Sequence, residues 1–410
     1  MRSGALRLLP VLAVAALCGC GAASDAADDA EGFGEPTTEE ALTPGPYKNG
    51  LDRKVYPSNR DRDLACPVAA TSAAGYAPAQ ARLADVEIDA RALRGVVPDG
   101  FRVAVILVKR VDGVPRYRYL SNGTHDVVYQ PWSSTKWIAA ANAASRLREA
   151  SSGRVGLSSS VGGVPLGDMV TGIHTYTPKL SSSNGLSRFM HDVGGRERAH
   201  DLVTEWLGRE RESFGGNYGE PAPAMTMTFT EPGGARVSIA KDAASGYQNQ
   251  LSALTEVEIL KRLVMHREDA ATRMRGLTWA DLRVLFYGAE ESSWYPGRWG
   301  GMSSDKAIFV QSALDVRKVE ADAKGRWRIF SKVGYGVPDD QARRGNGELV
   351  EVSYACLPVL DAAGRPVPDQ GRELFIAAMQ GTGGAGPSER EVLFAKNHAA
   401  IVERVLDGRL

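Results

Sequence analysis

The sequence predicts an α+β fold in which a single antiparallel sheet is built from both ends of the chain. Apolar runs of strand length lie near residue 101 and again between residues 327 and 379, whereas residues from about 133 to 315 mostly repeat their apolar positions with helical spacing. Strands from both ends around a helical middle indicate one sheet that carries an inserted, mostly helical subdomain. We expect one domain over residues 76–408 of the 410-residue chain.

The composition is that of an ordinary globular protein and does not suggest a nucleic-acid partner. Apolar residues make up 43% of the chain and charged residues 24%. Lysine plus arginine equals aspartate plus glutamate, 49 each, and no basic tract is interleaved with aromatic residues, so we expect no nucleic-acid partner. The six histidines stand in no metal-ligand or triad spacing, and we expect no metal or cofactor.

The amino terminus has the pattern of an export signal. Arg2 and Arg7 flank a short apolar run, Leu8–Leu17, which is too short to span a bilayer but fits the core of a signal peptide. The run ends in Leu-Cys-Gly-Cys, which resembles a bacterial lipobox and implies cleavage after residue 19 and lipidation of Cys20. The alternative is an ordinary secretory signal that is cleaved at a nearby small residue. Either route exports the protein, and the lipobox implies a membrane-anchored lipoprotein on the periplasmic or extracellular face.

The segment that follows, residues 20–75, is predicted to be a disordered tether. Residues 21 to about 60 are rich in Ala, Gly, Asp, Glu, Thr and Pro, and such a segment cannot bury enough apolar surface to fold. Cys18 leaves with the signal and Cys20 carries the lipid, so Cys66 and Cys356 remain. In an oxidising compartment these two cysteines can form a disulfide; the alternative is two separate buried thiols.

From residue 76 the pattern becomes globular, and its first elements form a hairpin that precedes a long helix. The nearly continuous apolar run Phe101–Val108 is typical of a buried strand. Val111–Val114 contains Asp-Gly, the signal for a tight hairpin turn, and Arg116–Leu120 alternates as the partner strand. Apolar spacing also predicts a helix over Ala79–Arg94, before the hairpin, and another from Ser133 to about Glu149, after it.

The middle of the chain is predicted to be mostly helical, and the last third returns to strands. The predicted middle elements are a loop and short helix over Gly163–Ile173, helices over Leu186–Val193, Arg196–Leu207, Leu254–His266 and Leu277–Gly288, and a strand-like segment over Met225–Phe229. The predicted late elements are strands over Trp327–Gly336, Leu349–Leu360 and Glu373–Met379 and a helix over Ser388–Leu406.

Ser133 and Lys136 form the first candidate catalytic pair. They are three residues apart, so in a helix they lie on one face, where a hydroxyl and an amine can act as nucleophile and base. A lone Ser-x-x-Lys is weak evidence, because about one is expected by chance in a chain of this length. The sequence contains three such pairs: Ser133/Lys136, Ser238/Lys241 and Ser303/Lys306. The alternative for the first pair is a helix N-cap followed by a solvated first-turn lysine.

Two further motifs select the first pair. Ser182-Ser183-Asn184 lies in a predicted loop between helices, and Lys332-Val333-Gly334 lies on a predicted strand of the late sheet. Neither Ser238 nor Ser303 is followed by a Ser-x-Asn. The alternatives are that the Ser-x-Asn residues are plain turn residues and that Lys332 is an exposed strand residue.

The order Ser-x-x-Lys, Ser-x-Asn and Lys-x-Gly resembles that of the penicillin-recognising serine hydrolases, the superfamily of the serine β-lactamases and DD-peptidases. The resemblance covers residues 76–408 and implies a β-lactamase-like fold. It implies that Ser133 attacks a carbonyl to form an acyl-enzyme. Lys136 would be its base, which requires a neutral amine; burial and a second cation, Lys332, would lower the pKa of Lys136.

The remaining roles also follow from the resemblance. Ser182 would pass a proton to the leaving nitrogen, and Asn184 would fix Lys136 or the substrate amide. The backbone N–H groups of Ser133 and Tyr335 would form an oxyanion hole, worth about 3 kcal/mol per donor. Gly334, Tyr335 and Asn249 are then the expected substrate-binding residues.

The sequence departs from the family pattern at two places. Val333 stands where active members usually carry Thr or Ser, and it cannot donate a hydrogen bond to a substrate carboxylate. β-Lactam turnover also needs a glutamate just ahead of an asparagine on a loop that follows Ser-x-Asn. The comparable asparagine here is Asn249, which no glutamate closely precedes, and Glu231 lies far back beside Pro232. Both departures argue against efficient β-lactamase activity.

The sequence therefore predicts an exported, lipid-anchored serine hydrolase that acts on an amide or ester in a small molecule or peptide, with a cell-wall peptide or β-lactam as the implied substrate class. The first alternative is a catalytically silent relative, a binding or scaffolding lipoprotein that uses the same cleft. The second is a true β-lactamase. The sequence does not identify the oligomeric state.

Overall fold

The computed structural model describes residues 55–59, 63, 65–175, 179–216, 226–241, 247–297, 299–305, 309–336, 347–381 and 387–410. The predicted signal peptide, the predicted lipidation site Cys20 and most of the predicted tether lie outside these residues. No helix among the described residues is both long and apolar enough to cross a membrane.

A six-stranded sheet is built from both ends of the chain, as predicted. Its order is β1-β3-β2-β10-β9-β8, with β1 parallel to β3 and every other neighbouring pair antiparallel. Its strands are β1 (Ile88–Asp89), β2 (Phe101–Val111), β3 (Val114–Ser121), β8 (Arg328–Gly336), β9 (Glu348–Leu357) and β10 (Arg372–Gly381). The order places β8 at one edge of the sheet, and this edge forms part of the candidate site.

The hairpin between β2 and β3 follows directly from its two turn residues. Asp112 and Gly113 both have positive φ angles, 53° and 78°, which two-residue hairpin turns require. Along β3, Tyr117 and Tyr119 are buried while Arg116 is partly exposed, which is the predicted alternation. This hairpin confirms the sequence prediction.

The predicted helix over Ala79–Arg94 is wrong. This segment contains only a 3₁₀ turn, Leu83–Asp85, before the short strand β1. Of the predicted apolar helix face, Leu83 and Leu93 are buried, while Val86 and Ile88 are only partly buried. The open edge of β3 offers backbone partners to a β-branched residue, and Ile88 pairs with Tyr119 there, so sheet pairing overrides the helical spacing.

The middle of the chain is mostly helical but also holds a small second sheet. Its helices are α1 (Lys136–Ala150), α2 (Leu166–Thr175), α3 (Ser183–Gly194), α4 (Arg196–Thr204), α5 (Ala253–Val264) and α6 (Trp279–Tyr287). The second sheet has the order β5-β4-β6-β7, with β4 (Ser160–Val161), β5 (Val164–Pro165), β6 (Thr226–Thr230) and β7 (Arg236–Ala240). The sequence predicted β6 alone of these four strands. Strands β4 and β5 have two residues each, too few to show a period, and β7 was missed although it is as long as β6.

Two apolar layers enclose the large sheet. Alternate residues of each strand face opposite sides, so Phe330 lies in the apolar cluster that includes residues of α1 and α5, whereas Val333 lies in the cluster that includes residues of the last helix. The helices on the second side are α7 (Phe309–Ser312), α8 (Val316–Ala323) and α9 (Pro387–Leu406). The sequence predicted α9 nearly to its bounds and missed the short α7 and α8.

A disulfide joins the start of the folded body to strand β9 of the sheet. Cys66 and Cys356 form an S–S bond across 290 residues of chain. Val68 is buried, and the backbone nitrogen of Ala70 donates to the carbonyl oxygen of Arg110 at 2.7 Å. Residues 66–70, which the sequence assigned to the tether, therefore pack on the sheet.

Candidate active site

Ser133 lies on a strained turn at the start of α1. A 3₁₀ turn, Trp132–Thr135, leads directly into the helix, and Trp132 has a φ of 51°, a left-handed conformation that a tryptophan rarely adopts. The Ser133 side chain is almost completely enclosed, and its hydroxyl makes no hydrogen bond within the described part of the chain. Strained backbone and unsatisfied buried hydroxyls are both uncommon, and both are concentrated at functional sites.

Lys136 connects the first motif to the second. It is the first residue of α1, its side chain is fully buried, and its Nζ donates to Asn184 Oδ1 at 2.5 Å and to Ser183 Oγ at 3.2 Å. The Ser-x-Asn segment forms the N-terminus of α3, which packs against α1. The structure therefore brings Lys136 and Asn184, predicted from separate motifs, into direct contact.

The two serines of the second motif differ in their surroundings. Ser182 is the exposed N-cap of α3, and its Oγ accepts from the Gly185 N–H at 3.0 Å. Ser183, which the sequence treated as a spacer, accepts from Lys136 and donates to the Ile173 carbonyl at 3.0 Å. The spacing of the Ser-x-Asn motif cannot show which of its two serines contacts Lys136, because that depends on the residue at which α3 begins.

The third motif lies directly against the Ser133 turn. A Cβ on Gly334 would lie 2.8 Å from the Ser133 nitrogen and 2.6 Å from the Pro131 carbonyl oxygen. A Cβ on Gly336 would likewise overlap the Trp132 ring. Strand β8 reaches this turn only because both positions are glycine.

Lys332 lies on the same side of β8 as Gly334. It is fully buried, and its Nζ donates to the Val333 carbonyl at 2.9 Å. Since side chains alternate along a strand, Lys332 and Gly334 face the helical subdomain and Val333 faces away from it. Val333 is 1% exposed and packs in the core on the α9 side, so the residue between Lys and Gly does not line the candidate site.

The outer edge of β8 supplies the second predicted oxyanion donor. The Val333 N–H donates to Asp305 Oδ2 at 3.3 Å, which shows that it points away from β9. Because N–H directions alternate in an antiparallel strand, the Tyr335 N–H two residues later points to the same outer edge. The Tyr335 side chain is turned toward α9, where its hydroxyl accepts from Arg390 at 2.6 Å.

Asn249 and Glu231 are held elsewhere. Asn249 Oδ1 accepts from the Gly216 N–H at 2.9 Å and the Gly215 N–H at 3.2 Å, so this side chain closes a loop. Glu231 accepts from the Gly156 N–H at 2.7 Å. In the part of the chain that the structure describes, the side-chain hydrogen bonds of Asn249 and Glu231 are made with these glycines and not with Ser133, Lys136 or Lys332.

The other two Ser-x-x-Lys pairs do not form comparable sites. Ser238 lies exposed on β7 beside Thr228, and Lys241 pairs with Asp192 at 2.8 Å. Ser303 donates to the Gly300 carbonyl at 2.6 Å, and Lys306 lies outside the described residues. Neither serine stands at the start of a helix beside a Ser-x-Asn segment.

Sequence reasoning missed one acidic residue beneath the site. Glu256 on α5 is fully buried, and its Oε2 lies 2.8 Å from the hydroxyl of Ser134, the neighbour of Ser133. Burial raises the pKa of Glu256 to about 8, although the nearby hydroxyls of Ser134 and Tyr129 act in the opposite direction. The only signal in the sequence was a glutamate within an otherwise apolar helical stretch, which is too common to single out.

No protein-family model and no curated protein matches the chain. Solved structures that are similar to it include a β-lactamase from Burkholderia vietnamiensis, with 14% identity, coverage of 74% of this chain and 91% of that chain, and a TM-score of 0.42. A class A β-lactamase from Mycobacterium abscessus has 13% identity, coverage of 74% and 94%, and a TM-score of 0.39. A putative class A β-lactamase from Rhodopseudomonas palustris has 13% identity, coverage of 76% and 95%, and a TM-score of 0.40.

The fold assignment rests on the chain's own topology. Its large sheet is built from both chain ends, its helical subdomain is inserted between the two halves of that sheet, and its three motifs meet at the start of one helix. The chain thus has a β-lactamase-like α+β fold.

Proposed function

We propose that the protein is an exported, lipid-anchored serine hydrolase that forms an acyl-enzyme at Ser133 with an amide or ester substrate. A cell-wall peptide or a β-lactam is the substrate class that the motif order implies. The single observation that carries the proposal is the meeting of three distant segments: Gly334 packs on the Ser133 turn, and Lys136 of the same turn binds Asn184.

The proposed first step is attack of the Ser133 hydroxyl oxygen on the substrate carbonyl carbon. The hydroxyl proton passes to the neutral Lys136 amine as the new C–O bond forms. The negative charge on the former carbonyl oxygen is stabilised by two backbone N–H groups, that of Ser133 and that of Tyr335 on β8. Collapse of this intermediate breaks the bond to the leaving group, which takes the proton held by Lys136 through the hydroxyl of Ser182.

The second step is hydrolysis of the acyl-enzyme by water. Among the described residues, the acidic groups near the expected loop are engaged: Glu212 accepts from the nitrogen and hydroxyl of Ser252 at 3.0 and 2.8 Å, and Glu231 binds Gly156. This observation favours slow deacylation. It also favours the second candidate function, a catalytically silent relative that binds ligands in the same cleft.

Covalent probes separate the candidates. Purified protein is incubated with a fluorescent fluorophosphonate and with a fluorescent penicillin, and Ser133→Ala is compared with Ser303→Ala, which removes the other buried serine of a Ser-x-x-Lys pair. Labelling that is lost only in Ser133→Ala supports the hydrolase. Absence of labelling by every acylating probe supports the silent relative, and rapid nitrocefin turnover supports a true β-lactamase.

Membrane anchoring is a separate part of the proposal. The lipobox-like sequence at Cys20 supports it. Expressed in a bacterial host, the full chain is expected to fractionate with membranes and to incorporate radiolabelled palmitate, and Cys20→Ala is expected to lose both properties. Release of the unchanged chain into the soluble exported fraction would favour the ordinary secretory signal.

A further inference from the structure

Glu256 lies directly under the Ser133 turn and has no part in the proposed mechanism. It is fully buried on α5, and its Oε2 is 2.8 Å from Ser134 Oγ. The same Ser134 Oγ is 2.6 Å from the carbonyl oxygen of Pro131, three residues earlier. Glu256 Oε2, Ser134 Oγ and the Pro131 carbonyl oxygen therefore form a short hydrogen-bonded chain of three oxygen atoms that spans the turn.

The charge of Glu256 depends on which neighbour receives the single proton of the Ser134 hydroxyl. A hydroxyl has one proton to donate, and a carbonyl oxygen can only accept. The Ser134 hydroxyl can donate to only one of these neighbours, and the Pro131 carbonyl oxygen at 2.6 Å is nearer than the Glu256 carboxyl at 2.8 Å, so we assign the Ser134 proton to Pro131. The contact of Ser134 with Glu256 is then a hydrogen bond only if the carboxyl group carries the proton.

The surroundings of Glu256 also favour the neutral acid. The groups that face it are the Ser134 hydroxyl from the turn, the Tyr129 hydroxyl from the segment before it, and the Glu212 carboxylate, which is itself paired with Arg209. The positive charge of Arg102 also acts on Tyr129. Burial is the largest influence and raises the carboxyl pKa, the nearby hydroxyls of Ser134 and Tyr129 oppose this rise, and the negative charge of Glu212 adds to it, which together give a pKa of about 8.

The turn that this chain spans is strained and needs support. Trp132 has a positive φ, which persists only where neighbouring contacts hold it. The indole nitrogen of Trp137 donates to the Ser134 carbonyl at 2.6 Å, and the Glu256–Ser134–Pro131 chain braces the other side of the turn. We propose that Glu256 is a positioning residue that, as a neutral acid acting through Ser134, holds the turn that presents Ser133. This inference rests on the proposed function for its catalytic consequence.

The expected consequence is a loss of Ser133 acylation at alkaline pH. Ionisation of Glu256 removes the donor to Ser134, and the carboxylate then competes with the Pro131 carbonyl for the single Ser134 proton. With a pKa of about 8, the competent protonated form falls about tenfold for each pH unit above that value. The rate of labelling by a fluorophosphonate is therefore expected to fall above pH 8 in the wild-type protein.

Two variants test the role of the acid. Glu256→Ala removes the donor and is expected to slow labelling about tenfold or more at pH 7, because small displacements of a nucleophile are costly. Glu256→Gln retains an N–H donor that cannot ionise; it is expected to rescue most of the labelling that Glu256→Ala loses and to abolish the fall above pH 8. A fall that persists in Glu256→Gln, or equal labelling of Glu256→Ala and wild type, would overturn the proposal.

A readout that needs no activity separates this proposal from the hydrolase proposal. The backbone amide signals of Ser133 and Ser134 in a ¹⁵N–¹H spectrum are expected to titrate near pH 8 in the wild type and not in Glu256→Gln. If they titrate but no probe labels Ser133, the positioning role stands and the hydrolase proposal fails. If they do not titrate, the positioning role fails even where labelling succeeds.

Discussion

Gly334 of β8 lies so close to Ser133 that a single added carbon would stand 2.8 Å from the Ser133 nitrogen. The two positions are 201 residues apart in sequence. Their contact exists because β8 is the edge strand of the sheet and packs on the 3₁₀ turn that leads into α1. The close approach makes the third motif part of the same site as the first.

Gly334→Ala is expected to push β8 away from the Ser133 turn. The added carbon meets backbone atoms of Pro131, Ser133 and Ser134, which cannot move aside as a flexible side chain could. We expect a loss of stability of about 1–3 kcal/mol, as in other overpacked sites, and fluorophosphonate labelling slower by about 100-fold. Gly381→Ala is the matched control, since Gly381 ends strand β10 and has open space around it; comparable effects in both variants would contradict the account.

Substitutions of Ser182 and of Ser183 are expected to affect the labelling rates of the two probes differently. Ser183→Ala removes a partner of the Lys136 amine and should slow labelling by both fluorophosphonate and penicillin. Ser182→Ala should slow only the penicillin, because opening that ring requires a proton for the leaving nitrogen whereas loss of fluoride does not. It should also cost about 1 kcal/mol as a lost N-cap. Equal slowing of both probes by Ser182→Ala would show that Ser182 does not act as a proton shuttle.

The disulfide between Cys66 and Cys356 is expected to contribute substantially to stability. It closes a loop that spans 290 residues, and cross-links of long loops are worth about 3–5 kcal/mol. The double variant Cys66→Ala/Cys356→Ala should unfold at correspondingly lower denaturant concentration. A reductant should lower the midpoint of the wild type and leave that of the double variant unchanged; a reductant without effect on the wild type would contradict the prediction.

Stability should also depend on pH through Glu256. Its pKa is raised from 4.5 in the unfolded chain to about 8 in the folded protein, so between these values the folded state holds a proton that the unfolded state has released. This contribution is fully present below pH 4.5 and is lost as pH rises toward 8, by about 1.4 kcal/mol per pH unit. Since His191 has a depressed pKa of about 3 and acts in the opposite sense, the quantity to measure is the difference between wild type and Glu256→Gln. A pH-independent difference would contradict the prediction.

Features that depend on local sequence were predictable. Asp112-Gly113 specifies a two-residue turn by itself, and the alternation on either side of it fixes which tyrosines are buried. The order of the three motifs likewise indicated which serine to choose among Ser133, Ser238 and Ser303. Lys136 and Asn184, chosen from separate motifs, are in contact.

Features that depend on contacts between distant segments could not be predicted from the sequence. The helical spacing of Ala79–Arg94 gave way to pairing at the edge of β3, which no local pattern reveals. Ser183 could not be distinguished from Ser182 without knowing how α3 begins, and Glu256 acquires its role only because α5 passes beneath Ser134. Asn249 was assigned to substrate binding by its position in the chain, and its backbone partners Gly215 and Gly216 could not be predicted from that position.

The site of covalent labelling by a fluorophosphonate, located by peptide mass spectrometry, tests the central claim most directly. The account predicts a single adduct on the peptide that contains Ser133 in the wild type, and its loss in Lys136→Ala. An adduct on Ser238 or Ser303, or undiminished labelling of Ser133 in Lys136→Ala, would contradict the claim that the three motifs together activate this serine.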